Sequence, residues 1–344
     1  MWYHFVMDGE KIGGYESRLS QRGEDLRRIN EEYNDGWNNG EAIENPESAH
    51  LIEYILSTLD FEKLKGVFLE ELRKSGVPEE NINIGVLDKI IAFPNSNDLI
   101  GSMYYAFINR IAFSANSKSF IELKQQMIDN KELPPDVLMG VQLLFIHEVC
   151  HAFSRVRISF TDVDEKNFVY NQDVGYSIST ISQEDGGLDS SVKLFEVFNE
   201  GVTQRIAEEV FLEYSKRVGI SEEVKSFLAK FNSSSSSLQY RVYENQVDSI
   251  CERISDYAGI PKDVVWEGFK RGYFEKPELF HKETLELFRD TFGDDFLDNY
   301  MKFDYDTSMS ELAKFDATYN LKHVSEYSDR WLKHLGISKS INDK

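Results

Sequence analysis

The sequence is poor in cysteine, in long apolar runs and in positive charge. Cys150 and Cys251 are the two cysteines among 344 residues, too few for a disulfide-stapled scaffold. Cys150 reads as a small apolar packing residue. The opening stretch MWYHFVMDGEKIGG has no basic segment followed by an apolar core, so it does not read as a secretory signal. No run of about 18 apolar residues occurs, so no membrane-spanning helix is expected, and a reducing cytoplasm is the expected compartment. The 38 basic residues are outnumbered by 60 acidic ones, a net charge of −22. An excess of that size repels phosphate backbones and anionic lipid, so nucleic acid is not an expected partner.

What is present suffices for a substantial core: 41% of residues are hydrophobic and 13% aromatic. Residues 1–78 begin polar and Gly-rich, with one polar helix expected near Gln21–Tyr33. Helical spacing follows over Ala49–Leu72, closed by Gly76 and Pro78. IIAF (90–93) and RIAF (110–113) read as short apolar strands, each followed by Asn and Ser turn residues. Helices are expected over Ser119–Asn130 and Asp136–Arg155, the second starting at Pro135 or Asp136. Phe160–Asp189, rich in Asp, Ser and Gly, reads as a loop with little regular structure. Leu194–Arg217 reads as helix and Asn232–Ser237 as a spacer. Leu238–Ala258 carries a helical stripe of Tyr240, Tyr243, Val247, Ile250, Ile254 and Tyr257, stopped by Gly259 and Pro261. The rest, to Lys344, is mostly amphipathic helix. Three regions are expected: 1–78, 79–258 and 259–344.

The stretch LLFIHEVCHAFSR (143–155) sets three polar side chains in one of the most apolar runs of the chain. At about 100° per residue, His147 and His151 lie about 40° apart on a helix, with Glu148 about 100° from His147. All three share one sector, and Phe145 and Val149 face the other way. Imidazoles one turn apart, with Cβ atoms roughly 6 Å apart, can converge on one tetrahedral zinc at about 2.0–2.1 Å. Glu148 is too far round to ligate that ion, but it can reach a water held there. This is the HExxH pattern. A catalytic zinc needs a third protein ligand and an open position. The downstream stretch FNEGVTQRIAEE (198–209) offers Glu200 as that ligand. Gly201 beside it lowers helix propensity by about 1 kcal/mol relative to Ala. The expected return is a close backbone approach to the zinc helix.

HEVCH (147–151) followed by NEGVT (199–203) resembles the gluzincin metallopeptidases, zinc enzymes whose third ligand is a glutamate on a second helix. The resemblance spans roughly Ile82–Ala258, with a longer connector between His151 and Glu200 than in compact members. It implies an α+β fold: a zincin-like core with a small mixed sheet before the HExxH active-site helix, followed by a mostly helical C-terminal part. It implies Zn2+ held by His147, His151 and Glu200, with Glu148 as general base. It also implies a Tyr or His that donates to the oxyanion. The segment YRVYENQV offers Tyr243 first and Tyr240 second, and both fit equally as core tyrosines. Finally, it implies a sheet edge that pairs with an extended substrate. Arg110–Asn116 fits that role, with IIAF as its competitor.

The expected function is therefore zinc-dependent hydrolysis of peptide bonds in a peptide or protein substrate, with a zinc-held water activated by Glu148. The alternative is a catalytically inactive, zinc-binding helical scaffold that acts as a protein-interaction module.

Overall fold

The computed structural model describes residues 5–6, 46–78, 82, 90–93, 102–105, 110–114, 118–162, 168–184, 187–231, 238–275, 282–304 and 307–321. The chain divides into two compact units, one within Phe5–Ile158 and the other within Ser159–Lys344.

In the first unit, the helical stretch expected over Ala49–Leu72 is two helices, α1 (Pro46–Ser57) and α2 (Phe61–Lys74). The Asp60 carboxylate accepts the Lys63 backbone N–H at 3.2 Å and so starts α2 as an N-cap. Gly76, at φ 83°, ends it, with the Gly76 N–H donating to the Arg73 carbonyl and the Val77 N–H to the Leu72 carbonyl.

Strands β2 (Ile90–Phe93), β3 (Ser102–Tyr105) and β4 (Arg110–Ser114) form a mixed sheet in the order β2-β4-β3. β2 is parallel to β4, and β3 is antiparallel to it. This corrects the expectation that Arg110–Asn116 forms a substrate-pairing edge. β4 is the middle strand, and its ladder groups are taken up on both sides. Apolar composition marks a strand, but not its place in a sheet. Among the described residues, β3 and β2 are the edges.

Two helices follow, α3 (Lys118–Asn130) and α4 (Pro135–Phe153). Pro135 sits in the first turn of α4, where its missing N–H costs nothing. Ser154 closes the helix by donating its backbone N–H to the Cys150 carbonyl and its hydroxyl to the His151 carbonyl. Phe145, Ile146, Val149, Cys150, Ala152 and Phe153 are fully buried. The Phe145 ring lies 6.1 Å from Phe61 and 6.4 Å from Phe113, and Phe153 lies 4.9 Å from Phe68. Among the described helices, α4 alone is long and apolar enough to cross a membrane, a property that a search for uninterrupted apolar runs misses. Most of it is buried inside the protein, as in a core helix.

The second unit corrects the reading of Phe160–Asp189 as a loop. Strands β5 (Val156–Asp162), β6 (Phe168–Val174), β7 (Ser177–Glu184) and β8 (Gly187–Leu194) occupy that stretch. The two-residue β1 (Phe5–Val6) and the start of β5 fall within Phe5–Ile158, in the sheet order β1-β5-β6-β7-β8. The helical part therefore follows a second sheet, not the HExxH helix directly. These strands are rich in Ser, Gln and Asp, so composition suggests loop. Their regularity comes from main-chain pairing: β7 is antiparallel to both β6 and β8, which satisfies its backbone on two sides.

Helices α5 (Glu196–Val218), α6 (Ser221–Phe231), α7 (Leu238–Ala258), α8 (Lys262–Phe274), α9 (Lys282–Phe292), α10 (Phe296–Tyr300) and α11 (Met309–Thr318) complete the unit. On α7 the expected stripe is buried at Tyr243, Val247, Ile250 and Ile254, whereas Tyr257 is exposed. Arg205 of α5 pairs with Asp248 of α7 at 3.2 Å and lies 4.0 Å over the Trp266 ring of α8. That one cation ties three helices together. The stretches Gln21–Tyr33, Asn232–Ser237 and everything beyond 321 lie outside the described residues.

Candidate metal centre

His147, Glu148 and His151 all stand on α4, in the order and spacing that put them in one sector. That sector is not an open face: the three side chains are 2%, 6% and 8% exposed. The Nε2 atoms of His147 and His151 lie 3.1 Å apart. One ring can donate an Nε2–H to the other at that distance. It is also the spacing of two ligand atoms on one ion, which requires both rings to carry their protons on Nδ1.

Glu148 has a partner that the sequence did not reveal. Its Oε2 accepts the backbone N–H of Tyr104 at 2.7 Å. Tyr104 lies opposite Ile111 in the β3–β4 ladder, and because β3 is an edge, no further strand competes for the N–H that Glu148 takes. No local pattern around residue 104 signals this contact, which joins positions 44 residues apart.

Glu200 stands in the second turn of α5 and is 4% exposed. Among the described residues, one group of His, Cys, Asp and Glu side chains can hold a metal ion: His147, His151 and Glu200. One ligand atom from each lies within 4.8 Å of the others. All three are buried. The sequence-expected ligand set is thus brought together as named.

Gly201 corrects a second expectation. A Cβ there would meet the Tyr243 carbonyl oxygen at 2.5 Å and a methyl of Val247 at 2.8 Å. The close approach that Gly201 permits is to α7, not to the HExxH helix. Tyr243 is therefore set against α5 one residue beyond Glu200, through its main chain. Its side chain is fully buried. Burial first, then the nearby Asp316 and Tyr243, hold the Tyr300 phenol well above its ordinary range. Tyr243 and Tyr300 thus share a buried polar neighbourhood with Asp316, which accepts from the Gln246 side-chain amide at 2.7 Å.

The chain matches no known protein family, no curated protein and no solved structure. What stands for its function is the buried group itself.

Proposed function

We propose that this chain is a zinc-dependent peptidase of the gluzincin type. The observation that carries the reading is the convergence of His147, His151 and Glu200. Two imidazoles and a carboxylate are a donor set suited to zinc, and three protein ligands leave one position for water or substrate. Ligand atoms at about 2.0–2.1 Å from a tetrahedral ion stand about 3.3 Å apart, close to the 3.1 Å between the two Nε2 atoms.

Bound zinc supplies Lewis acidity, which polarises the scissile carbonyl and brings the pKa of water toward about 7. Glu148 takes a proton from the attacking water as its oxygen bonds to the carbonyl carbon. The C–N bond then breaks, and Glu148 returns the proton to the leaving amine. The Tyr104 N–H on Oε2 fixes the carboxylate of the proposed base. Tyr243 donates to the developing oxyanion. Arg110–Asn116 offers an extended substrate no free edge, because β4 is the middle strand, and on the β3 edge the Tyr104 N–H is taken by Glu148. Glu148→Gln keeps the shape and the acceptor for Tyr104 but removes the base. It is expected to retain zinc and to lose chelator-sensitive cleavage of a broad peptide library by a factor of about 10² or more. Undiminished cleavage by that variant contradicts the reading.

One observation favours a second reading, a zinc-binding scaffold without catalysis. The bond from Tyr104 gives Glu148 a structural use that needs no reaction. On that reading wild type and Glu148→Gln both bind zinc, and neither cleaves any peptide in the library.

A further inference from the structure

The metal reading leaves open what aims Glu200. We infer that Asn199 is a positioning residue: the β6–β7 turn grips its side chain and so sets the first turns of α5, and with them the Glu200 carboxylate. This rests on the proposed metal centre.

The turn is built for that contact. Val174 pairs with Ser177, leaving Gly175 and Tyr176 as a two-residue loop. Gly175 has φ +57° and Tyr176 is not among the positive-φ residues, as a hairpin turn with glycine at its first central position requires. A Cβ on Gly175 would strike the Tyr273 ring at 2.5 Å and Asn199 Oδ1 at 2.6 Å. Glycine is therefore needed twice, for its backbone angle and for the space. The next residue, Tyr176, donates its backbone N–H to Asn199 Oδ1 at 2.9 Å, and its hydroxyl donates to the Phe269 carbonyl at 2.8 Å. Its ring lies edge-on to Phe198 at 5.0 Å.

Asn199 is also held through its main chain. Its N–H donates to the Phe195 carbonyl at 2.9 Å, and its carbonyl accepts the Thr203 hydroxyl at 2.8 Å. Thr203 is itself 2.9 Å from the Tyr273 hydroxyl. Phe195, at φ 59°, holds a left-handed conformation that a bulky residue rarely adopts. Its N–H donates to the Met301 carbonyl at 2.8 Å. Asn199 is 2% exposed, and Tyr176, Thr203 and Tyr273 are fully buried. A strained start and a clamped side chain over-determine one stretch of helix, and the next residue is Glu200.

The test compares metal affinity, by chelator competition with zinc, and the visible absorption of the Co2+ form, across variants of the full chain. Asn199→Leu removes the acceptor while keeping the number and branching of side-chain heavy atoms, and Asn199→Asp keeps the acceptor. The leucine variant is expected to weaken zinc binding about tenfold or more and to change the Co2+ spectrum, and the aspartate variant to return affinity to within about threefold of wild type. If Asn199 only braces the fold, both variants unfold at lower temperature while the folded protein binds zinc as tightly as wild type. That result overturns the inference, as does equal loss of affinity in both variants. Should Asn199→Leu not fold, Thr203→Val, which loosens the same carbonyl, is read instead. A weakening of about threefold or more supports the inference, and unchanged affinity overturns it. Glu200→Ala is measured alongside. If it binds zinc like wild type, the metal-centre reading itself has failed. If it loses zinc while the Asn199 and Thr203 variants do not, only the positioning role has failed.

Discussion

At the scale of single residues, a glycine and a tyrosine carry the sharpest consequences. Gly201 lets α5 and α7 touch backbone to side, and a methyl there would sit 2.5 Å from a main-chain oxygen. Backbone cannot swing aside as a lysine tip can. Gly201→Ala is therefore expected to destabilise the protein by about 1–3 kcal/mol, even though alanine is the better helix former by about 1 kcal/mol. Chemical denaturation checks this: the midpoint falls at unchanged slope, and an unchanged or raised midpoint removes the tight crossing. Tyr243 meets α5 at the same point. On the proposed mechanism Tyr243→Phe is expected to lower kcat by about 10²–10³ and to leave zinc binding unchanged. If kcat is unchanged, Tyr243 is a core residue, as its full burial also fits. The pairing of His147 with His151 was legible because side chains on one helix are fixed by count, whereas Glu200, on another helix, came from the resemblance of the NEG stretch. Tyr104 and Asn199 act through an N–H taken up by Glu148 and a side-chain oxygen that receives one, contacts set by how strands and turns pack, so no spacing showed them.

At the scale of elements, legibility follows the strength of the repeat. The stripe on Leu238–Ala258 gave the bounds of α7, since 3- and 4-residue steps of large apolar groups admit one period. IIAF and RIAF were visible for a different reason, as short apolar runs closed by Asn and Ser turn residues. β5–β8 were not, because strands rich in Ser and Gln owe their order to neighbours rather than to composition. Helix starts show a second element-level property. At α11 the Ser308 hydroxyl, then the Ser308 backbone N–H, hold the Glu311 carboxyl below its ordinary value of 4.5. The reciprocal bond from the Glu311 N–H to Ser308 closes a capping box. At α2 the Lys63 side chain, then its backbone N–H, lower Asp60 in the same way. A carboxylate depressed in the fold contributes stability above its unfolded pKa and loses it as pH falls through the folded one. The stability difference between wild type and Glu311→Gln is therefore expected in full at neutral pH and to shrink once pH falls below about 4.5, as the folded carboxyl protonates. Unfolding curves at a series of falling pH values check this, and a difference that does not shrink contradicts it.

At the scale of the whole molecule, the account joins residues far apart in the chain to one ion. A net charge of −22 gathers divalent cations at the surface, so loose metal alone proves nothing. At about 0.15 M salt that atmosphere is screened beyond about 8 Å, whereas a buried, three-ligand site is not. The measurement that tests the claim most directly is zinc content per chain. It is made on wild type and Glu200→Ala, expressed without a histidine tag and dialysed at physiological salt. The account predicts one zinc per wild-type chain and little or none in the variant. Wild type without zinc, or a variant that holds as much as wild type, contradicts it.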